Sequence, residues 1–310
     1  MKKIFIVFVM NLLLAGCTAQ VEEGDKLTVV AVNFPGYDFA RQVCGEGAEV
    51  IMLVKPGMES HSYEPSPQDM ILIEQCDLFI YAGGESDEWV KQLLESVHND
   101  MGVMSMLDCV EGLEEEHIHH GWEEHMHEHH DHNHDELDEH VWTDPANAAL
   151  IAHEIAHVMA ELDPTEADTY EKNAHAYNEK MLELDQQFQE IVDGANRNVL
   201  IFADRFPMRY FTHRYELEYY AAFSGCSHET EPSAATLVFL IDKVREEQIP
   251  VVLQMDLSDG RTADTVCAET GAVKRTFYSG HTVTAEQLEN GITYEELMRM
   301  NLDVLKEALG

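Results

Sequence analysis

Short apolar segments rich in β-branched residues alternate with amphipathic stretches along most of the chain. In the first third this pattern predicts strands at Leu27–Phe34, Glu49–Val54, Asp77–Ala82 and Val103–Leu107. Between them it predicts helices that include Asp38–Cys44, Ser66–Gln75 and Glu88–Val97. Alternating strands and helices are typical of βα units on a largely parallel sheet.

A long helical segment follows, from about residue 145 to 191, with one break at Leu162-Asp163-Pro164. Apolar residues recur at three- and four-residue spacing from Thr165 to Val192, which predicts a helix of about 42 Å. Strands then resume at Val199–Ala203, Tyr219–Phe223, Val251–Met255 and Lys274–Tyr278, before a closing helix at Tyr294–Leu309. The fold predicted is α/β, with two lobes of mainly parallel sheet joined by a long rigid helix. We expect a first lobe at 27–144, connecting helices at 145–194 and a second lobe at 195–310.

The first residues resemble an export signal. Lys2 and Lys3 precede an apolar run of about eleven residues, which is too short to span a bilayer comfortably. The run ends in Leu-Ala-Gly-Cys, the bacterial lipoprotein pattern. It predicts a signal peptide at 1–16, a lipidated Cys17 and a tether at 17–26, on the outer face of the cytoplasmic membrane. The alternative is an ordinary signal peptide with an incidental cysteine.

The charge and the cysteine content of the chain argue against some classes of partner and of metal site. The chain has 59 acidic and 19 basic residues, and its formal net charge is -40. This balance argues against nucleic acid and suits a protein that attracts cations. No cysteine lies in a C-x-x-C arrangement, which argues against a thiolate zinc site. A disulfide between Cys226 and Cys267 is compatible with export, but spacing leaves the connectivity open.

Residues 117–140 hold ten of the eighteen histidines, interleaved with carboxylates. Because neutral imidazole is the commonest ligand for transition metals, a tract of this kind is a metal-binding hypothesis. The alternative is a solvated acidic loop. The accessory metal ligands predicted in this tract are His117, His119, His120, His125, His127, His129, His130, His132 and His134.

Three further histidines follow predicted strands or loops. They are His61 in KPGMESHSYEPSPQD, His140 in EHVWTDPANA and His281 in FYSGHTVT. Ligands bind open α/β sheets at the carboxyl ends of the strands, which makes all three candidates for one site. Near them, Ser66 and Asp69 form a predicted capping box, and Asp144 with Pro145 predicts a helix start.

A competing motif is His153-Glu154-Ile155-Ala156-His157, a formal H-E-x-x-H. Two histidines four residues apart on a helix hold zinc in metalloproteases, with Glu154 as the general base and Glu171 or Glu179 downstream as a third ligand. The motif is short in a chain rich in both residues. We favour the alternative, an exposed helix face with Ile151, Ile155 and Val158 turned inward.

The motifs around His61 and His140 resemble those of the zinc- and manganese-uptake substrate-binding proteins of bacterial ABC transporters. S-H-S-Y-E-P-S-P-Q-D resembles the first-ligand loop of that family, and H-V-W-T-D-P its second-ligand motif. A His-rich loop before the second motif is typical of the zinc-specific branch, and E-P-S-A at 231–234 resembles the E-P-S motif. The resemblance covers 27–309 and implies a metal held in the cleft between two lobes.

The third ligand expected from this resemblance is a His or Glu ten residues before a tyrosine. Counting back from Tyr215 reaches Arg205, which cannot bind a cation. Asp204 is adjacent, although it could instead pair with Arg205; Glu59, Glu229 or a water are other candidates. We therefore predict a site of His61, His140 and His281 with a carboxylate or water, a tetrahedral set that suits Zn²⁺.

The function implied is capture of Zn²⁺ and its delivery to an ABC permease by a monomeric, lipid-anchored receptor. No bond chemistry is needed, so we expect no enzyme. The alternatives are an H-E-x-x-H zinc metalloprotease, or an adhesive surface lipoprotein that uses zinc to bridge surfaces.

Overall fold

A four-stranded parallel sheet forms the first lobe in the computed structural model, which describes residues 26–58, 63–96, 101–114, 137–225 and 232–310. Its strands are β1 (Leu27–Ala31), β2 (Ala48–Met52), β3 (Leu78–Tyr81) and β4 (Gly102–Ser105). They lie in the order β2-β1-β3-β4. Its helices in the described residues are α1 (Phe34–Cys44), α2 (Pro67–Gln75) and α3 (Glu88–Ser96).

The second lobe repeats this order of strands. Its sheet is parallel with the order β6-β5-β7-β8, formed by β5 (Val199–Phe206), β6 (Glu218–Ser224), β7 (Val251–Met255) and β8 (Val273–Phe277). Its helices in the described residues are α6 (Arg209–Arg214), α7 (Ala234–Glu246), α8 (Arg261–Thr270), α9 (Ala285–Glu289) and α10 (Tyr294–Leu309). In both sheets the order of strands reverses beside the first strand, so each lobe has a position at its carboxyl edge where ligands bind in such folds.

Two helices connect the lobes: α4 (Pro145–Leu162) and α5 (Ala167–Asp193). With 27 residues, α5 is about 40 Å long, and it packs against α1 of the first lobe and α10 of the second. Its buried side chains are those that the apolar spacing predicts, namely Tyr170, Ala174, Tyr177, Met181, Leu184 and Phe188. The predicted two-lobed α/β fold with a long joining helix is confirmed.

Local signals explain where helices begin. The Ser66 hydroxyl accepts the Asp69 backbone N–H at 3.3 Å, and the Asp69 carboxylate accepts the Ser66 N–H at 2.8 Å, so the predicted capping box is present. Asp144 accepts the Ala146 N–H at 2.8 Å, as its predicted role at the start of α4 requires. The first helix begins earlier than predicted, at Phe34, because the Asn33 side chain caps it and Pro35 fits its first turn.

The predicted lipidation site and the predicted disulfide each involve a residue outside the described ranges. Residues 1–25, including Cys17, lie outside the described residues. Cys226 does as well, so a disulfide with Cys267, whose thiol is free within the described residues, stays a prediction. Among the described helices, none combines the length and the apolar character needed to cross a membrane.

Candidate metal centre between the lobes

His140 and His281 meet in the cleft between the lobes. Their ring centroids lie 5.3 Å apart with an angle of 75° between the ring planes. His140 is fully buried, and His281 is half-buried. The indole of Trp142, also fully buried, lies with its centroid 5.5 Å from that of His140 and 5.2 Å from that of His281. Two histidines separated by 141 positions in sequence are therefore brought together around one aromatic ring.

The segment that carries His281 is fixed by a hydrogen-bond network at the ends of β7 and β8. The Ser279 N–H and hydroxyl both donate to Asp256 Oδ1, at 3.0 and 2.9 Å, and the His281 N–H approaches Ser279 Oγ at 3.2 Å. Gly280 between them has a φ of +70°, a turn conformation that favours glycine. The Trp142 indole N–H donates to the Ser279 carbonyl oxygen at 3.0 Å, which joins this segment to the chain that carries His140.

A cavity of about 300 Å³ opens beside the two imidazoles. Residues at the ends of strands of the second lobe contribute most of its wall, and Met58, which follows β2, contributes from the first lobe. Among the residues that line it are His140, His281, Asp204, Arg205 and Gly225. The carboxyl edge of the second sheet therefore forms the wall of the cavity, as the position of ligands in α/β sheets predicts.

Asp204 lies in this wall, but its carboxylate is already engaged. Its Oδ1 accepts the Arg205 backbone N–H at 2.9 Å, and its Oδ2 accepts the Met255 N–H at 3.1 Å. The pairing of Asp204 with Arg205 that the sequence suggested as an alternative is therefore present, through the backbone N–H of Arg205. Within the described ranges, no three His, Cys, Asp or Glu side chains lie close enough together to hold a metal ion. The complete ligand set predicted from sequence is therefore not assembled from these residues alone.

His61 lies outside the described residues, as do Glu59 and Glu229. The chain on its amino-terminal side is held at the cavity. Met58 lines the wall, and the Gly57 N–H donates to the carbonyl oxygen of Val283 in the second lobe at 2.8 Å. The loop that carries His61 therefore leaves the described chain close to the segment that carries His281.

The nine accessory histidines also lie outside the described residues, but both ends of their tract are fixed. Glu114 and Leu137 form an antiparallel bridge, and the Asp138 N–H donates to the Leu113 carbonyl oxygen at 2.8 Å. The tract thus starts and ends at one stem, and only two residues, Asp138 and Glu139, lie between the bridge residue Leu137 and His140.

Buried carboxylates lie on or against the segment that carries His140. Burial, and then the neighbouring charge of Glu139, raise the pKa of Asp87 to about 7. Glu139 is itself buried and accepts hydrogen bonds from the hydroxyl and the backbone N–H of Ser86. Burial also raises the pKa of Asp144 to about 6, although Arg214 opposes the shift.

The H-E-x-x-H motif is a surface feature of α4. His153 and His157 are exposed, and His157 Nε2 lies 3.7 Å from Glu161 Oε1. Ile151 and Ile155 are fully buried, so the inward-facing pattern favoured from sequence is correct. Glu171, Glu179 and the two histidines border a groove between α4 and α5, without forming a cluster able to hold a metal. The metalloprotease alternative finds no support in this arrangement.

Sequence reasoning missed three residues that shape the site: Asp138, Ser279 and Gly225. Asp138 had a local signal, since an acid two residues before a histidine can reach its ring. Ser279 and Gly225 had none, because their contacts with Trp142 and His140 join distant parts of the chain.

The comparison with protein families decides the relationship. The family described as ZnuA, zinc-uptake complex component A, periplasmic, matches residues 29–308. The chain belongs to the ZnuA family. The resemblance inferred from the motifs around His61 and His140 is therefore confirmed.

Individual relatives and solved structures point to the same family. The chain is 31% identical over 315 residues to the zinc-binding lipoprotein AdcA of Streptococcus pneumoniae, covering 99% of this chain and 61% of AdcA. It is 30% identical over 316 residues to the high-affinity zinc uptake system protein ZnuA of Bacillus subtilis, covering 99% and 97%. The Zn(II)-bound ZnuA-like domain of S. pneumoniae AdcA has the same fold, with a TM-score of 0.76 and 28% identity, covering 92% of this chain and 99% of that domain. The chain thus spans about three fifths of the AdcA proteins that it matches.

Proposed function

We propose that this protein captures Zn²⁺ in the cleft between its lobes and delivers it to the permease of an ABC transporter. The observation that most directly supports this proposal is the separation of 5.3 Å between the ring centroids of His140 and His281. Two imidazoles that bind one tetrahedral zinc ion at about 2.0–2.1 Å would have centroids roughly 5.2 Å apart. The spacing therefore suits a shared metal ion.

The proposed ligands are His61, His140 and His281, with Asp204 or a water completing a tetrahedron. Each carboxylate oxygen of Asp204 accepts one backbone N–H, which leaves lone pairs for a cation. Three imidazoles favour zinc over manganese, which prefers oxygen ligands, but they would also bind copper or nickel. The zinc-bound AdcA domain and the zinc-uptake description of the family support zinc as the cargo.

Capture and delivery require no covalent bond to be made or broken, so we propose a receptor and not an enzyme. The lipoprotein pattern at Cys17 would anchor it to the outer face of the cytoplasmic membrane, beside its permease, as a monomer. The description of AdcA as a lipoprotein supports the anchor. The lobes would close on the metal, and docking would loosen the site.

Zinc titration of matched double variants tests the site. Each variant is assayed with the His-rich tract present and with residues 117–134 removed, a deletion that keeps Leu137 and Asp138 beside His140. We expect His140→Ala with His281→Ala to weaken the tight site at least ~100-fold in a competition assay against a chromophoric chelator. His153→Ala with His157→Ala removes two exposed histidines from α4 and should leave the affinity unchanged.

His61→Ala should weaken binding in the same way as the cleft pair. Tight zinc binding by the cleft double variant without its His-rich tract would refute the proposed ligand set. Loss of binding in the α4 double variant would instead direct attention back to the H-E-x-x-H motif.

A further inference from the structure

One carboxylate holds the ring of His140 in place. Asp138 Oδ1 accepts the His140 backbone N–H at 2.8 Å, and the same oxygen lies 3.0 Å from His140 Nδ1. Both residues are almost completely shielded from solvent, with exposures of 2% for Asp138 and 0% for His140. Because this oxygen is the acceptor for the backbone N–H, the contact with the neutral ring is best satisfied with the ring proton on Nδ1 and the lone pair on Nε2.

Two other residues pack against the ring. Trp142 meets it edge to face, and Gly225 of the second lobe lies so close that an added Cβ would stand 3.3 Å from His140 Cε1. Asp138 therefore fixes the Nδ1 edge of a ring that Trp142 and Gly225 also hold in place. The ring is also part of the wall of the cleft cavity.

Asp138 is itself held by both lobes. The hydroxyl of Tyr210 in α6 donates to the Asp138 carbonyl oxygen at 2.8 Å. The same hydroxyl accepts the Leu113 N–H at 2.9 Å, and the Asp138 N–H donates to the Leu113 carbonyl oxygen at 2.8 Å. A tyrosine of the second lobe thus joins the two ends of the stem on which Asp138 lies, so the carboxylate has little freedom to turn away from His140.

We propose that Asp138 is the positioning residue of the zinc site, which selects the tautomer of His140 that presents Nε2 to the metal and holds the ring in that orientation. This inference rests on the proposed function, since it assigns a role to a residue beside one of its ligands. A carboxylate on the far nitrogen of a ligating histidine fixes its orientation and makes it a better donor. Loss of such a partner lowers metal affinity by about 10–100-fold.

Two substitutions separate positioning from general support of the fold. Asp138→Asn keeps an acceptor oxygen for the Nδ1–H but removes the charge. Asp138→Leu keeps a similar volume but removes the acceptor. We expect about a 3–10-fold loss of zinc affinity in the first and about 10–100-fold in the second. Asp303→Asn and Asp303→Leu, at an exposed position of α10, are matched controls that should bind zinc like the unmodified protein.

The tautomer itself supplies the decisive readout. Nitrogen-15 NMR of the histidine rings in the zinc-free protein should show His140 protonated at Nδ1, in the unmodified chain and in Asp138→Asn. Asp138→Leu should lose that single state, and circular dichroism should show that its fold is retained. If it retains the Nδ1-protonated state and the full zinc affinity, the inference is overturned.

His140→Ala, measured in parallel, separates this inference from the proposed function. Strong loss of zinc binding in His140→Ala with unchanged binding in Asp138→Leu overturns only the positioning role. Unchanged binding in His140→Ala overturns the ligand set, and with it the basis for assigning Asp138 a role.

Discussion

Gly225, which follows β6, lies directly against the imidazole of His140. A Cβ at this position would stand 3.3 Å from His140 Cε1 and 2.9 Å from the carbonyl oxygen of Phe206. The second contact involves backbone, which cannot easily move aside. A side chain as small as a methyl group would therefore push this part of the second lobe and the ring of His140 apart.

Gly225→Ala should accordingly weaken zinc binding by about 10-fold, since small displacements of a ligand lower metal affinity on the scale of lost supporting contacts. Gly194→Ala is the control, because Gly194 caps α5 away from the cleft and its φ of -89° suits any residue. Isothermal titration of both variants checks the prediction. Equal affinity in the two variants would mean that the His140 ring tolerates the displacement.

Arg205 occupies the position at which the family motif predicts a third ligand, and it lines the same cavity as His140 and His281. A guanidinium cannot bind zinc, and its charge repels a cation. Arg205→His should raise zinc affinity about 10–100-fold by adding a ligand and removing the charge. Arg205→Gln removes the charge alone and should give a smaller gain.

Competition titrations of the two Arg205 variants separate these effects. A loss of affinity in both would show that Arg205 supports the site through its other contacts. An equal gain in both would assign the whole effect to charge.

Deletion of residues 117–134, which keeps Leu137 and Asp138 in place beside His140, should leave one tight zinc site and remove several weak ones. A chain with many histidines and carboxylates binds metal at several exchanging positions, whereas the cleft holds its histidines at fixed spacing. Zinc stoichiometry by equilibrium dialysis, at zinc concentrations near and far above that of the protein, checks this. Disappearance of the tight site would show that the tract contributes a principal ligand.

Stability should fall with rising pH on account of Asp87. Its pKa in the folded protein, about 7, lies above its ordinary value of 3.8 because the group is buried beside Glu139. The folded state therefore holds the proton more tightly, and the stabilisation this gives is complete below pH 4 and is lost as pH rises through 7. Relative to Asp87→Asn, the unmodified protein should lose about 2–3 kcal/mol of unfolding free energy between pH 5 and pH 8.

Urea denaturation of the unmodified protein and of Asp87→Asn at both pH values measures this difference. Asp303→Asn, which changes an exposed carboxylate, should follow the unmodified protein at both. A constant gap between the unmodified protein and Asp87→Asn across the range would contradict the raised pKa.

The helices and strands were predictable because their buried apolar residues recur at the spacing typical of each kind of element. Strand β7 and helix α10 have the predicted bounds, and α5 buries the predicted face. Helix α8 was not predicted, because three of its ten residues are threonines, which are weak helix formers, and its start at Gly260 is a left-handed turn without a side-chain cap.

The candidate site was predictable only where a motif is local. His140 and His281 were found from their places after strands and loops, and the cleft brings them together. The hydrogen bond from Trp142 to Ser279 spans 137 positions, and no local pattern announces it. Contacts of this kind come from the packing of the two lobes, which spacing along one strand or helix does not encode.

The position of Trp142 gives the protein an optical label of its own. The chain has three tryptophans, Trp89, Trp122 and Trp142. Trp142 lies against both cleft histidines, Trp122 belongs to the His-rich tract, and Trp89 packs against Phe79 and Tyr63 in the first lobe. Changes in indole emission in single-tryptophan forms of the chain would therefore follow the arrival of a metal at the cleft and at the tract separately, without any added dye.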